Sequence, residues 1–205
     1  MTSLIFVRHG ETDWNLTGRI QGSSDIPLND TGRCQARAVA AELRDGLDGP
    51  VTIVASDLSR ARETAEIIAA ELGLDAPRLY PQLRERAYGE GEGKTGAEAA
   101  SLWGSWRTAQ VPGAESPDQL RRRALAGVHQ VVRDARRATA PAAASVIVVS
   151  HGGLIRELVR HASRGDLPEP GTSLPNGGGY TMLYERHRLR LVDTARGARI
   201  PSATR

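Results

Sequence analysis

Cysteine is almost absent: Cys34 is the only one in 205 residues. That excludes an internal disulfide and a cysteine-built metal cluster. Lysine is as scarce. Lys94 stands alone, which leaves 26 arginines among the 27 basic residues. Aromatic residues amount to 4%, so the core has to be assembled mostly from Ala, Leu, Val and Ile. No apolar run approaches the roughly 20 residues of a membrane-spanning helix. The opening run Leu4–Val7 is too short for the core of a signal peptide, and Arg8 follows it directly. These absences predict a soluble, cytoplasmic protein.

What remains is 40% apolar residues and a net charge of +3. An Arg-rich, Ala-rich, Lys-poor chain has the look of a GC-rich, bacterial gene, so most arginines need no functional explanation. Only their positions can single some out. Arginine carries a planar fork of donors that fits phosphate and stays protonated.

Leu4–Val7, Val51–Val54 and Val146–Val149 read as short buried strands. Helices are expected from Asn29-Asp30-Thr31 to Gly46, from Ala61 to Leu72 with Gly73 as its stop, from Ser116 to about Ala138, and from Leu154 to Ala162. Arg78–Tyr80 suggests a short strand, and Tyr180–Tyr184 with Leu189–Val192 a late hairpin. Between Leu83 and Pro117 the pattern weakens, with many glycines and one helix around Ala97–Trp106. This stretch, 83–117, is expected to form a lid. Strands alternating with helices predict an α/β three-layer sandwich with a mostly parallel central sheet. A single domain over 1–193 is expected, with a frayed tail at 194–205.

Two strands end alike. The first stops at Arg8-His9-Gly10 and the last at Ser150-His151-Gly152-Gly153. In open α/β sheets, ligands sit beyond the carboxyl ends of the strands. The second strand ends at Ser56-Asp57, and the next turn carries Arg60 and Arg62. If the three strands are neighbours, two histidines and at least two arginines converge. That set suits phosphoryl transfer. A neutral imidazole can attack phosphorus and split one hard step into two, while arginines take up the charge on the equatorial oxygens. The leaving alkoxide needs a proton from the opposite side. Glu85, in Leu83-Arg84-Glu85, is the candidate, ahead of Glu90 and Glu92 in the same segment. The scheme requires no metal and no other cofactor.

Arg8-His9-Gly10-Glu11-Thr12 resembles the signature of the histidine phosphatase superfamily, which includes cofactor-dependent phosphoglycerate mutases. The resemblance continues through Trp14-Asn15, Gln21-Gly22, Ser56–Ala61, Leu83-Arg84-Glu85, Glu92-Gly93, Pro112–Ser116 and Ser150–Gly153, in family order over residues 4 to about 160. It implies that His9 is the phosphorylated nucleophile. It implies that Arg8, Arg60 and His151 bind the phosphoryl group with Asn15, and that Glu85 donates the proton. It also implies a sheet with helices on both faces. Gly152, Gln21 and Gly22 are further expected phosphate or substrate contacts.

Within the superfamily, Ala87 stands where the mutases carry histidine, and Gly89–Thr95 looks like the phosphatase branch with Gly91 in place of its tryptophan. A longer mutase insertion with paired arginines is hinted at only by Trp106-Arg107. A metal-independent phosphatase of small phosphorylated metabolites is therefore the leading expectation. A phosphoglycerate mutase is the second, and an inactive basic binding protein on the same scaffold the third.

Other features read more plainly. Arg62, His129, His161 and His187 are expected at the surface. Glu11 is expected to orient the first loop and Cys34 to pack against a helix. Asn176–Gly179 reads as a turn that could approach the ligand. Arg121–Arg123 with Arg133, Arg136 and Arg137 make a basic helix, read as a solvated face, so no nucleic-acid or membrane partner is expected. The family resemblance leaves room for a homodimer, although no leftover apolar stripe demands one.

Overall fold

The computed structural model describes residues 1–47, 49–104, 110–169 and 172–193. The expected end of the lid helix at Trp106, the pair Trp106-Arg107 and the tail from Thr194 lie outside the described residues.

Six strands form one sheet: β1 (Thr2–Arg8), β2 (Val51–Ala55), β3 (Arg78–Leu79), β4 (Ser145–Ser150), β5 (Gly179–Glu185) and β6 (Arg188–Asp193). Their order is β3-β2-β4-β1-β5-β6. The first four run parallel, and β5 and β6 form an antiparallel hairpin on the β1 side. The strands that lead into His9, His151 and Ser56 are therefore neighbours, which meets the condition for their convergence. β1 and β4 pair in register from Ser3↔Ser145 to Arg8↔Ser150, so the residues that follow them emerge side by side.

Side chains alternate across a pleated sheet with period two. Leu4 and Phe6 of β1 and Val146 and Val148 of β4 face one layer, and Val7, Ile147 and Val149 the other. On the first face lie α5 (Pro117–Thr139) and α6 (Gly152–Ala162), and on the second α2 (Asp30–Leu43) and α3 (Ser59–Leu72). In the chain α1 (Asp13–Leu16) precedes α2, and α4 (Gly96–Trp103) lies between α3 and α5. The three-layer sandwich is as expected.

Local chemistry explains the helix ends that frame the site. The Asn29 side chain caps α2 by accepting from the Gly32 amide. Ser116 caps α5 with Pro117 behind it and a reciprocal bond from Gln119. Gly73 closes α3 in the left-handed region at φ 67°. α3 starts two residues earlier than the apolar pattern suggested. Arg60 is therefore a buried residue of its first turn rather than part of a preceding loop. Cys34 is exposed on α2, not packed against a neighbour as the sequence suggested. Position 36, not 34, falls on the buried stripe of that helix. Among the described residues no helix is long and apolar enough to cross a membrane.

Candidate active site

His9 follows β1 and donates its main-chain N–H to the Ser150 carbonyl at 2.9 Å. His151 follows β4 and caps α6. Their ring centroids are 5.1 Å apart, with the planes inclined at 60°. Both rings are buried, His9 at 3% exposure and His151 at 0%.

The His9 ring has a defined tautomer. Its Nδ1 lies 2.7 Å from the carbonyl oxygen of Gly10. A carbonyl can only accept, so Nδ1 carries the proton, and Nε2 is left with a free lone pair. Burial pushes the His9 pKa well below the ordinary 6.5, and the charges of Arg60 and Arg8 push it further down. The bond to Gly10 opposes this but does not outweigh it. His151 is depressed in the same way, by burial first and then by Arg60, His9 and Arg8. At neutral pH both rings are uncharged.

Arg60 projects from the first turn of α3. Its Nη1 donates to the Ser24 carbonyl at 2.7 Å and its Nη2 to the Gly22 carbonyl at 2.8 Å. Thr64, one turn on, accepts from the Gly10 amide at 3.0 Å and donates to the Arg60 carbonyl at 2.7 Å. One hydroxyl thus ties the His9 loop to the Arg60 helix. Arg8 donates to the Leu174 carbonyl. Burial lowers the Arg60 pKa to about 10 and also lowers that of Arg8. Both stay cationic at neutral pH.

Several buried polar atoms here lack a protein partner: Arg8 Nε, Arg60 Nε, both ring nitrogens of His151, and Gln21 Oε1. A buried unmet hydrogen-bonding group costs about 1–3 kcal/mol. Several donors left unmet around one point, beside two guanidinium charges, make a place built for an anion.

Glu85 stands at the rim. Its carboxylate accepts from the Gly153 amide at 2.8 Å, the Leu154 amide at 3.0 Å and its neighbour Arg86 at 2.8 Å. The first two belong to the N-terminal turn of α6. Gly153 cannot be larger: a Cβ there would lie 2.5 Å from Glu85 Oε1 and 3.0 Å from the Tyr88 hydroxyl.

Asn15 uses its Oδ1 to accept from Asn176 at 3.1 Å and from the Thr12 amide and hydroxyl at 3.2 Å each. Its remaining polar group is the NH2 donor, the end that suits an anion.

All but one of the expected site residues line one cavity of about 430 Å3. Arg8, His9, Asn15, Gln21, Gly22, Arg60, Glu85 and Gly152 line it. His151 is the exception: it sits fully buried beside His9 rather than in the wall. From the segment expected to form a lid, Glu85, Arg86, Tyr88 and Gly96 line the cavity. Among the described residues no group of three or more His, Cys, Asp and Glu side chains is placed to hold a metal ion.

Three residues have contacts that the sequence reading did not assign to them. Glu92 does not line the cavity but clamps it. Its two oxygens accept from the amides and hydroxyls of Ser23 and Ser24 and from the Tyr88 amide, at 2.6–3.0 Å. Burial would raise its pKa, but these bonds outweigh it and hold the carboxyl below the usual range. The clamped segment carries the Gly22 and Ser24 carbonyls that grip Arg60. Arg123 is not on a solvated face. It reaches the carbonyls of Gln82, Arg84 and Glu85 at 2.9–3.1 Å and pairs with Glu115 at 2.7 Å. Asn176 donates to the His9 carbonyl at 3.0 Å as well as to Asn15, so the late turn does hold the first loop.

Several residues lie where the sequence placed them. His129, His161, His187 and Arg62 are exposed, and Glu11 accepts from the Asn29 side chain at 3.0 Å, joining the first loop to the cap of α2. The basic helix is divided: Arg121 pairs with Asp118 and Glu157, and Arg136 reaches Thr2 and Tyr184.

Residues 4–196 match the histidine phosphatase superfamily, branch 1. The chain belongs to that family. An Arabidopsis thaliana metal-independent phosphoserine phosphatase is 36% identical over 77% of this chain and 67% of its own. An uncharacterized phosphatase of Bacillus subtilis, PhoE, is 34% identical over 94% of both chains. A probable phosphoglycerate mutase, GpmB, from Photorhabdus laumondii is 36% identical over 80% of this chain and 79% of its own. Among solved structures, a mycobacterial glucosyl-3-phosphoglycerate phosphatase in complex with VO3 superposes with a TM-score of 0.78. It is 30% identical and covers 94% of this chain and 98% of its own. A phosphatase-type enzyme of the histidine phosphatase family is what these likenesses support.

Proposed function

We propose that this protein is a metal-independent phosphatase that hydrolyses small phosphorylated metabolites through a phosphohistidine at His9. The observation that carries the reading is the fixed tautomer of His9: a neutral ring with its Nε2 lone pair free, beside buried donors of Arg8, Arg60 and His151 that have no protein acceptor.

The steps follow from those positions. The phosphoryl group binds among Arg8, Arg60, His151 and the Asn15 amide. His9 Nε2 forms a bond to phosphorus as the ester P–O bond breaks. Glu85 gives its proton to the departing alkoxide. A water then attacks phosphorus, its proton passes to Glu85, the P–N bond breaks and inorganic phosphate leaves. The proton lent in the first half is recovered in the second. Gln21, Gly22 and Gly152 border the bound group. No metal or organic cofactor enters.

Isomerisation would need the phospho-enzyme kept from water while its phosphoryl acceptor turned round. The segment between Glu85 and Ser116 is short for that task, which favours hydrolysis over mutase chemistry.

The test is a pair of assays in EDTA, one with p-nitrophenyl phosphate and one with 3-phosphoglycerate plus 2,3-bisphosphoglycerate. Phosphate release without isomerisation is expected. Denaturant quench during turnover of a 32P-labelled ester should leave acid-labile label on the wild-type chain and none on His9→Ala. Isomerisation faster than release would favour the mutase, and silence in both assays an inactive binder.

A further inference from the structure

Away from the phosphoryl pocket, one wall of the cavity is a face of α6. Gly153, Arg156, Glu157 and Arg160 all line it. Spacings of three, four and seven residues put them on the same side of the helix. Gly153 touches Glu85 through its amide. At 1.5 Å per residue, Arg156 and Arg160 follow at about 4.5 Å and about 10.5 Å along the axis.

The charges on this face are unbalanced. Glu157 is buried and already paired with Arg121 at 3.4 Å. Arg156 donates to the Thr172 carbonyl, which orients it without neutralising it. Arg86, from the segment after Glu85, lines the same cavity. It is steadied by the Glu115 carbonyl at 2.7 Å and by the Tyr88 ring, 5.2 Å from its guanidinium carbon. Arg86 and Arg156 both lie close enough to Tyr88 for their charges to act on its hydroxyl. Among the described residues no carboxylate lies within ion-pair range of Arg86, Arg156 or Arg160. Ile20, Leu120 and Leu174 supply an apolar lining between the charged parts, matching a short carbon skeleton.

Resting on the phosphatase reading of the same site, we propose that Arg156 and Arg160, with Arg86, form a second anion subsite. It selects phosphomonoesters that carry a further anionic group, a carboxylate or a second phosphate, on the same small molecule. A guanidinium fork meets either group with two parallel hydrogen bonds. The apolar lining rejects neither, but a neutral substituent gains nothing from the arginines. Loss of one charge-assisted contact is expected to weaken binding by about tenfold to a hundredfold.

Matched pairs test this. 3-Phosphoglycerate and glycerol 3-phosphate differ only in carboxylate against hydroxymethyl. Fructose 1,6-bisphosphate and fructose 6-phosphate differ in the second phosphate. For each pair, kcat/KM is measured with the wild-type chain. Kd is measured by calorimetry with His9→Ala, and inhibition of p-nitrophenyl phosphate hydrolysis by each compound gives the same ratio independently. One charged member should be favoured at least about tenfold, and which pair shows it identifies the anion. R156Q/R160Q should bring the ratio to near one, mainly through KM and Kd. R160Q alone, at an exposed position, should lower it in the same direction and serves if the double variant fails to fold. Ratios near one in the wild type, or a ratio untouched by the substitutions, would overturn the subsite. Hydrolysis of p-nitrophenyl phosphate with no preference in either pair leaves the phosphatase reading standing and removes the subsite. A preference in Kd with no ester hydrolysed does the reverse.

Discussion

The Arg123 guanidinium donates to the main-chain carbonyl of Glu85 at 3.1 Å, across 38 residues of chain. It meets the Gln82 and Arg84 carbonyls as well, and it is tied to the Glu115 carboxylate through both Nε and Nη2. Three carbonyls within the four residues 82–85 therefore hang on one side chain of α5. Arg123→Met keeps the length and removes every donor. It should cost about 3 kcal/mol or more, since Glu115 is left half-buried without its partner. The surviving folded protein should lose kcat on alkyl phosphates. Chemical denaturation and steady-state rates check both; an unchanged kcat would mean that Glu85 is held by α6 alone.

Glu85→Gln removes the proposed proton donor while keeping the shape. Alkyl phosphates, with poor leaving groups, should slow by about a hundredfold or more, and p-nitrophenyl phosphate much less. Rates on the two ester classes decide it. Equal slowing on both would take the acid role away from Glu85.

Glu92 acts at a distance, through Ser23 and Ser24 on the carbonyls that grip Arg60. Glu92→Gln replaces one acceptor oxygen with a donor that faces amide and hydroxyl donors. The inhibition constant for inorganic phosphate or vanadate should rise about tenfold, the size expected for losing one well-placed contact to a charged group. Inhibitor titration reads this directly, and an unaltered constant would show that Arg60 needs no such clamp.

Stability should depend on pH through the two buried histidines. Each has a folded pKa well below the ordinary 6.5. The unfolded chain therefore binds protons that the folded chain refuses. Their contribution is fully present above about pH 6.5 and is lost as pH falls from there toward the folded values. The slope can reach about 1.4 kcal/mol per pH unit for each ring. Urea midpoints at pH 7.5, 6.5, 5.5 and 5.0 should be level at the top of this range and then decline. A midpoint constant down to pH 5.0 would contradict the neutral, buried state of both rings.

Local signals made most of the fold legible. β1 and β4 are short apolar runs that stop abruptly at histidine-glycine, and that alone placed His9 and His151 at strand ends; the sheet order makes those ends neighbours. Asn29, Ser116 and Gly73 marked helix ends because capping is a matter of a few adjacent residues. The turn after β2 brought Arg60 and Arg62 toward the site, and the family resemblance chose Arg60; its apolar neighbours suggested a helix starting just after it.

What stayed hidden depends on contacts between distant segments. Arg123 sits in a triplet of arginines on a helix with a clear apolar stripe, and nothing local separates it from Arg122, which is exposed. Glu92 looked like a competitor for the proton-donor role because its segment is full of acids; only the fold shows Ser23 and Ser24 against it. Nothing local separates Arg156 and Arg160 from the chain's many other arginines; only the fold sets them beside the cavity. Cys34 missed the packed stripe of α2 by two positions, a rotation that apolar counting does not resolve.

The proton on His9 Nδ1 is held by a peptide oxygen, not by an acidic side chain. No substitution of a partner residue can release it, and no carboxylate sits there to be neutralised in acid. The readiness of the reactive nitrogen is thus hard-wired into the main chain. On the proposed mechanism, evolutionary tuning has to act elsewhere, on Glu85 and on the walls that decide which molecule arrives.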